Sequence, residues 1–257
     1  MVYNLYTIIM NDSRTTLTSP TNILLPINVL RNIAYDCGYF NISKNNQASI
    51  GGFLNQLIPE LYLRRKDLHR QLLQYFDYDE TLTTKSEEGL YKVFFNKDDF
   101  CDDAMIKVPF RVNESKREIF LEIYDIELGK HNTDFSNYVR NLLIEYCSKQ
   151  LDLREYCFYY SKIQLIKEAI ENGYLCHFHL EDRIVSMIPV AIDFCFATKG
   201  NLIAGMFENM NNAFIFALKN LKKVVVDKDI SIRIDDECCD FVNDFINEYN
   251  NELLEEK

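Results

Sequence analysis

The order of hydrophobic and polar positions repeats in the first 150 residues of the chain. Each copy has a short apolar strand that ends at an Asn, followed by a helix, a polar loop and a second helix. The first copy begins at residues 23–28 and extends to about residue 62. The second begins at residues 107–113 and extends to about residue 149. The pattern therefore predicts two equivalent structural units in one chain.

Strand–helix–helix is the order of the ribbon-helix-helix unit, which buries its core only when two units pair through their strands. Two copies in one chain predict an intramolecular pseudo-dimer over residues 22–150, after an N-terminal arm at 1–21. Acidic residues concentrate between the copies. We expect residues 76–103 to form an irregular acidic linker with one short strand at 91–95.

The spacing of apolar residues changes after Gly173. Residues 151–172 show the spacing of a helix, whereas the following stretch, up to residue 226, alternates as five or six short strands. Short strands with tight turns suggest a small barrel. An acidic amphipathic helix is predicted at 235–254. The fold class is therefore α+β, with a barrel and its leading helix at 151–227 and an acidic C-terminal segment at 228–257.

Composition narrows the class of protein. Of 257 residues, 47% are hydrophobic, which is enough to build real cores. The eight Cys lack the spacing of a disulfide framework or a zinc site, so we expect buried thiols in a reducing cytoplasm. The apolar stretch at 2–10 is too short to span a membrane and lacks the features of a secretory signal. We therefore expect a cytoplasmic protein that does not associate with membranes.

The net charge of −11 is unevenly distributed. Residues 76–103 carry nine acids and three bases, and residues 227–257 carry eleven acids and three bases. Residues 22–75 instead carry six bases and three acids. The overall charge argues against tight, indiscriminate binding of nucleic acid, but it is compatible with a local basic face.

The predicted ribbon offers such a face. Alternation along the second strand puts Lys107 and Arg111 on the side opposite the apolar residues. Alignment of the two copies puts Asn22, Leu24 and Pro26 on the outer face of the first strand, which makes the ribbon asymmetric. Two cations on an outer face suit contacts with phosphates or base edges. The alternative is that both are solvated charges on an ordinary strand edge.

Two further regions are candidates for nucleic-acid contacts. The loops before the second helix of each copy, near Lys44 and near residues 132–136, present helix N-termini that suit a phosphate. Arg64 and Arg65 begin a basic cluster on the polar side of a predicted helix at 63–75. The alternative for this cluster is a solvated helix face.

The predicted barrel carries its own candidate residues. In the stretch Cys-His-Phe-His at 176–179, His177 and His179 share one face of a strand. A metal site would need a third ligand, which no familiar spacing supplies, so we predict no metal. His177, His179, Arg183 and Lys219 are instead candidates to line a groove for a phosphate or a base. The sequence shows no nucleophile–base pair and no glycine-rich phosphate loop, so we expect neither catalysis nor a cofactor.

The order of these features resembles the WYL-domain accessory proteins of type VI-D CRISPR systems. The resemblance covers about residues 22–226. It is carried by ASIGGFLNQL at 48–57, KVPFRV at 107–112, YVRNLL at 138–143, IKEAI at 166–170, LCHFH at 175–179, IP at 188–189 and FALKNL at 216–221.

The resemblance implies an Sm-like (WYL) barrel that senses a ligand or binds nucleic acid, a ribbon-helix-helix module that contacts RNA, and a homodimer. The chain departs from the family at several positions. The tripeptide that names the domain falls on residues 201–203, which read Asn-Leu-Ile. The family's strand Tyr falls on His179, and its paired arginines fall on Ala217 and Asn220. These departures weigh against ligand sensing by the barrel. For the homodimer that the resemblance implies, the helix at 235–254 is the candidate surface.

Three functional hypotheses follow. The first is a non-catalytic protein that binds single-stranded RNA and modulates an RNA-targeting CRISPR effector. The second is a WYL transcription regulator that binds duplex DNA and responds to a ligand. The third is a protein-binding adaptor whose acidic tail occupies a basic surface on its partner.

Overall fold

The structure is a computed structural model that describes residues 21–44, 47–94, 104–128, 134–207 and 212–255. Its fold is mixed α+β, and the chain divides into two units, residues 1–149 and 150–257. Residues 1–20 of the predicted N-terminal arm lie outside the described residues. Among the helices that are described, none is both long and apolar enough to cross a membrane.

Among its described residues, the first unit contains one pair of six-residue strands, one pair of two-residue strands and five α-helices. Its elements are β1 (Thr21–Pro26), α1 (Ile27–Tyr39), the two-residue strands β2 (Ser43–Lys44) and β3 (Gln47–Ala48), α2 (Ile50–Tyr75), α3 (Glu80–Phe94), β4 (Met105–Phe110), a 3-10 turn (Glu114–Lys116), α4 (Arg117–Glu122) with a π-helical continuation (Ile123–Leu128), and α5 (Phe135–Cys147).

The strands of the two sequence copies pair with each other. β1 and β4 form an antiparallel two-stranded ribbon whose register runs from Thr21 opposite Phe110 to Pro26 opposite Met105. The inner face of the ribbon is buried and consists of Ile23, Leu25, Val108 and Phe110. Because alternate side chains point to opposite faces, burial of this set leaves the remaining positions on the outer face.

A buried polar contact joins the first helix of one copy to the last helix of the other. The Tyr146 hydroxyl of α5 donates a hydrogen bond to the Asp36 carboxylate of α1, with 2.7 Å between the oxygens, and both side chains are fully buried. The ring of Phe53 from α2 packs edge-on against Tyr146. A buried polar group requires such a partner, so this contact stabilises the packing of α1 against α5.

Pro59 does not end the second helix. The sequence predicted a separate helix at 63–75, but α2 is continuous from Ile50 through Pro59 to Tyr75. A proline inside a helix costs about 3 kcal/mol through its missing N–H and its steric clash. The adjacent side chains of Leu57, Ile58 and Leu61 are buried, and this burial offsets the cost.

In the described part of the predicted linker, α3 occupies residues 80–94, where the sequence predicted irregular chain and the start of a strand at 91–95. Residues 95–103 of that linker lie outside the described residues. The carboxylate of Asp79 accepts hydrogen bonds from the backbone N–H groups of Thr81 and Leu82, which starts the helix. Thr83 is fully buried. Packing of α3 on α2 therefore stabilises a helix in a segment whose composition suggested none.

The second unit is a five-stranded antiparallel sheet with helices. Its elements are α6 (Leu151–Phe158), α7 (Tyr160–Asn172), β5 (Tyr174–His179), β6 (Ile184–Cys195), β7 (Gly200–Met206), β8 (Ala213–Ala217), a 3-10 turn (Leu218–Asn220), β9 (Lys223–Ser231) and α8 (Asp236–Glu255). The strand order is β8-β7-β6-β5-β9. The predicted helix at 151–172 is divided at Tyr159. Two of the short strands predicted after Gly173 form the single strand β6.

The described strands form a five-stranded sheet that does not close, so the small barrel predicted from the sequence stays a prediction. β8 and β9 are its two edges, and they do not pair with each other. A register shift between Pro189 and Ala191 bends β6. The apolar side of α8 then covers one face, where Val242 and Ile246 pack on β7. The helix that was the candidate dimer surface therefore has the apolar side with Val242 and Ile246 packed within its own unit, while its acidic side is exposed.

Gly205 allows β7 to approach the bend in β6. A Cβ atom at this position would lie 2.3 Å from the Ile188 carbonyl oxygen, which is backbone and cannot rotate away. We expect Gly205→Ala to lower the free energy of unfolding by about 1–3 kcal/mol in chemical denaturation. Gly38→Ala in α1 is the control, since its Cβ would meet nothing within 4 Å. It should raise stability by about 0.5 kcal/mol. Equal effects of the two substitutions would contradict the steric explanation.

Candidate nucleic-acid interface

The outer face of the β1–β4 ribbon is exposed and carries no acid. Lys107 and Pro109 on β4 are exposed, as is Asn22 on β1, while Leu24 is half-buried. Asn22 lies opposite Pro109, and Leu24 lies opposite Lys107. Neither strand contains an acidic residue. In a chain with a net charge of −11, these two strands add no negative charge to the face.

The predicted asymmetry of the ribbon is present in the structure. Both cations, Lys107 and Arg111, belong to the β4 side, and both side chains are exposed. Pro26, which the sequence placed on the outer face, is buried instead. The reason is that α1 begins directly at Ile27, so the chain turns inward at Pro26.

A buried amide holds the end of β4 where Arg111 emerges. The Asn55 side chain on α2 donates to the carbonyl oxygens of Gly51 at 2.8 Å and Arg111 at 2.9 Å. Its amide oxygen accepts a hydrogen bond from the Asn113 backbone N–H at 2.8 Å. Asn55 is 2% exposed, so its own polar groups need these partners. Asn55 is therefore a positioning residue for Arg111. In the sequence it appears only as one residue of the motif at 48–57, and nothing local indicates its contact with residues 111–113.

Arg64 and Arg65 lie in an ion cluster centred on Glu145 of α5. The two guanidinium groups contact separate carboxylate oxygens of Glu145 at 3.1 and 3.0 Å, and the Lys149 ammonium lies at 3.1 Å. Burial raises the pKa of the Glu145 carboxyl, but the charges and hydrogen bonds of Arg65 and Lys149 outweigh it and hold the pKa below its usual range. Both arginines therefore stabilise the packing of α2 on α5.

The rest of the basic cluster on α2 is also paired with acids. Lys66 contacts Glu122 at 2.7 Å, His69 contacts Glu87 at 3.0 Å, and Arg70 contacts Asp67 at 2.8 Å. Most of these acids come from other helices, so the charge run in the sequence overstates the positive charge that this surface presents. A role of Arg64 and Arg65 in nucleic-acid binding stays a prediction.

The predicted helix N-termini are capped by the protein itself. At the start of α2, Ser49 Oγ accepts a hydrogen bond from the Gly52 N–H at 3.3 Å. At the start of α5, the Asp134 carboxylate accepts one from the Asn137 N–H at 2.8 Å. An acidic cap disfavours a phosphate at the second position. The side chain of Lys44 lies outside the described part of the structure.

In the second unit, the outer face of β5 brings both predicted histidines together. His177 and His179 are half-buried side chains on this face, and His177 Nδ1 lies 2.7 Å from Ser186 Oγ on β6. His179 lies opposite Lys223 of β9. Ser186 and Lys223 were missed in the sequence because the strand register that makes them neighbours is not encoded locally.

The other two predicted groove residues occupy the ends of this sheet. Arg183 is exposed in the turn between β5 and β6, and its guanidinium carbon lies 5.1 Å from the centre of the Phe214 ring. Lys219 lies in the 3-10 turn after β8, where its carbonyl oxygen accepts a hydrogen bond from the Tyr159 hydroxyl at 3.0 Å. Both residues therefore have structural partners in addition to any ligand.

Asn201, the first of the three residues on which the tripeptide that names the WYL domain falls, has a structural role. The backbone N–H and the side-chain amide of Asn201 both donate to the Glu155 carboxylate, at 2.6 and 2.9 Å. Glu155 is fully buried. These contacts join β7 to α6 and satisfy a buried charge, so Asn201 acts in the packing of this unit.

The cysteines of the described residues are free thiols. Burial raises the pKa of Cys37 and Cys176 to about 12, so both stay protonated near neutral pH. Within the described ranges, no group of three or more His, Cys, Asp or Glu side chains is arranged to hold a metal ion.

Comparison with known proteins shows a similarity of fold. No protein-family profile matches the chain, and no curated protein is similar to it in sequence. Among solved structures, the fold is similar to one described as the crystal structure of a CRISPR Cas-related protein, with a TM-score of 0.59 and 13% sequence identity. The match covers 85% of this chain and 65% of that one, so the chain spans less than two thirds of the length of its structural neighbour.

The Glu145 cluster predicts a pH-dependent contribution to stability. Because the folded-state pKa of Glu145 is lowered, its charge stabilises the protein above the unfolded-state pKa of about 4.3. This contribution is lost as the pH falls through the folded-state value. We expect Glu145→Gln to reduce the free energy of unfolding by about 1–3 kcal/mol at pH 7, and the difference from the unmutated protein to shrink below about pH 4. Denaturation across pH measures this.

Glu118→Gln, at an exposed position on α4, is the control for the Glu145 substitution and should change stability little at any pH. A difference for Glu145→Gln that stays constant from pH 7 to about pH 3 would contradict the ion-pair explanation.

Substitution of Asn55 should weaken both the fold and the candidate interface. Asn55→Ala leaves the Arg111 carbonyl and the Asn113 N–H without their partner, at a cost of about 1–3 kcal/mol. We also expect weaker binding of RNA, because the backbone that carries Arg111 is released. Denaturation and RNA titration measure the two effects. The control is Asn141→Ala on the exposed side of α5. Unchanged RNA affinity in a folded Asn55→Ala protein would show that Asn55 does not position the site.

Proposed function

We propose that this protein is a non-catalytic regulator that binds single-stranded RNA and modulates an RNA-targeting CRISPR effector. The observation that carries the proposal is the outer face of the β1–β4 ribbon, which is exposed, free of acids and flanked by Lys107 and Arg111. A paired ribbon with cations on its outer face suits phosphate contacts that position a nucleic acid.

The asymmetry of the ribbon favours a single strand over a duplex. A two-fold symmetric reader of duplex DNA presents equivalent contacts from both of its strands. Here only the β4 side is cationic, whereas the β1 side offers Asn22 and Leu24. Lys107 and Arg111 are four residues apart, or about 13 Å along an extended chain. This arrangement follows one phosphate backbone and leaves the amide of Asn22 for a base.

The face of β5 that carries His177 and His179 supports a separate contact with a single-stranded nucleic acid. His177 and His179 are two residues apart, about 6.8 Å, which leaves room for one base to stack between the imidazole rings. Lys223 lies opposite His179 and supplies a cation beside them. Together these groups combine stacking with charge, as in other surfaces that bind single strands.

The finer assignments belong to the same proposal. We assign the first unit as an intramolecular ribbon-helix-helix pair, the second as a WYL-type module with an open barrel, and the functional form as a homodimer. The similarity of fold to a CRISPR Cas-related protein supports a role beside a CRISPR effector.

A protein-binding adaptor is the second candidate function, because α8 presents a ladder of acids to solvent. Five exposed acids recur at four-residue spacing, and α8 contains no basic residue. They are Asp236, Asp240, Asp244, Glu248 and Glu252. Like charges at this spacing repel one another by a few tenths of a kcal/mol per pair, and a basic partner would relieve this repulsion.

Removal of the two ribbon cations tests the proposal. We expect Lys107→Ala combined with Arg111→Ala to weaken binding of single-stranded RNA roughly tenfold at low salt, or about 1.4 kcal/mol. The slope of log affinity against log salt should fall by about 1.4, since each lost phosphate contact accounts for about 0.7 on a single strand. Fluorescence anisotropy across a salt series measures both quantities.

The matched control removes two exposed cations elsewhere. Lys85→Ala on α3 with Lys199→Asn before β7 changes the net charge equally, and Asn tolerates the left-handed backbone at Lys199. The control should bind RNA like the unmutated protein. Equal weakening by both double variants would show only a global charge effect. Preference for duplex DNA would favour the transcription regulator, and absence of binding to either nucleic acid would favour the adaptor.

A further inference from the structure

The edge strand β8 differs from the opposite edge of its sheet. β8 reads Ala-Phe-Ile-Phe-Ala and contains no charge, proline or bulge. The opposite edge β9 is protected by a register shift and by Lys223, Asp227, Lys228 and Asp229. An uncharged, apolar edge is a surface on which another strand can pair, whereas charges and irregularities prevent this. In β8, Ala213, Phe214 and Ile215 are half-buried.

The register shows which backbone groups face the open edge. The Phe207 N–H donates to the Asn212 carbonyl at 3.0 Å, so these two residues form a hydrogen-bonded pair. Such pairs alternate along an antiparallel ladder, so Phe214 and Phe216 also bond to β7. The intervening residues Ala213 and Ile215 therefore direct their N–H and C=O groups away from β7. Ala217 directs its N–H the same way, while its C=O accepts the first hydrogen bond of the 3-10 turn that follows. In the described residues, no strand pairs with this side of β8.

The sequence of β8 is a palindrome centred on Ile215. If two copies meet edge to edge around a two-fold axis at Ile215, Ala213 of one copy lies opposite Ala217 of the other. The three residues that face outward then form three pairs. Ile215 and its counterpart can exchange two hydrogen bonds, and each Ala213–Ala217 pair adds one from the Ala217 N–H, about four in all. Phe214 also lies opposite Phe216 of the second copy, on the face where Phe216 packs against Phe178. Every position thus meets a residue of matching size.

We propose that β8 pairs with β8 of a second copy in an antiparallel, two-fold symmetric dimer. The result is one continuous sheet of ten strands, five from each copy. This isologous contact closes at two chains because each copy uses the same edge. The inference rests on the homodimer in the proposed function and assigns the surface that forms it.

A second copy fits this edge better than other occupants. α8 covers the face of β8 that carries Ala213 and Ile215, so a partner can approach along the edge but not onto that face. Pairing of β8 with β9 of another copy would be a head-to-tail contact that builds a ring or a filament, and the charges and register shift of β9 disfavour it. Self-complementarity of the strand is the property expected of a two-fold contact.

Ala217→Pro tests the contact without disturbing the subunit. Ala217 has φ −70°, which proline adopts without strain, and its N–H faces the open edge, so the ladder to β7 is retained. In the dimer, the substitution removes one donor from each copy and places a ring at the edge. Ala217→Ser keeps the N–H and is the matched control.

The measurements are the mass in solution and amide hydrogen exchange. By sedimentation at about 0.15 and about 1 M salt, the unmutated protein and Ala217→Ser should reach twice the chain mass of 30.3 kDa, and Ala217→Pro should remain at 30.3 kDa. Exchange at the amides of Ala213 and Ile215 should slow as protein concentration rises, except in Ala217→Pro. Thermal unfolding of Ala217→Pro at low concentration should match that of the monomer.

A monomeric unmutated protein up to its solubility limit would overturn the inference, and so would an undiminished dimer of Ala217→Pro. The ribbon variant Lys107→Ala with Arg111→Ala should lose RNA affinity and keep the dimer mass. The ribbon and the dimer contact are therefore tested separately, and failure of one proposal is distinguishable from failure of the other.

Discussion

The first unit depends on the pairing of β1 with β4. The paired residues are 79 to 89 positions apart in the chain, so loop closure opposes their meeting and the contacts made afterwards must repay it. Burial of Ile23, Leu25, Val108 and Phe110 supplies that stabilisation and fixes the register. A shift of one residue would bury the cations and expose the core. The strand register that buries the core residues therefore also exposes the cations of the candidate interface.

In this unit, one group of cations is paired with acids within the fold, and another is exposed on the ribbon. Glu145 collects Arg64, Arg65 and Lys149, and other acids pair with Lys66, His69 and Arg70. Lys107 lies on a strand that contains no acid, and Arg111 follows directly after that strand. Surface potential therefore follows from which cations find acids after folding, and it differs from the charge density along the chain.

The second unit contains a sheet that does not close, so two of its strands are edges that could pair with another chain. One edge is protected by charges and a register shift, and one face is covered by α8. Gly205 and the bend at Pro189 allow the strands to curve beneath that helix. The remaining edge, β8, has none of the usual protection and is self-complementary. Its exposure is consistent with a role in assembly.

The sequence by itself determined the repeated strand–helix–helix pattern, the change to strands after Gly173, the C-terminal helix and the asymmetric cations of the ribbon. These follow from local periodicity, which reports the buried face of an element without reference to distant residues. Tertiary structure decided the continuity of α2 through Pro59, the helix α3, the open sheet, the pairing of Arg64 and Arg65 with Glu145, and the contacts of Asn55. Each depends on residues far apart in the chain, whose packing energies override local propensity and cannot be read from a single segment.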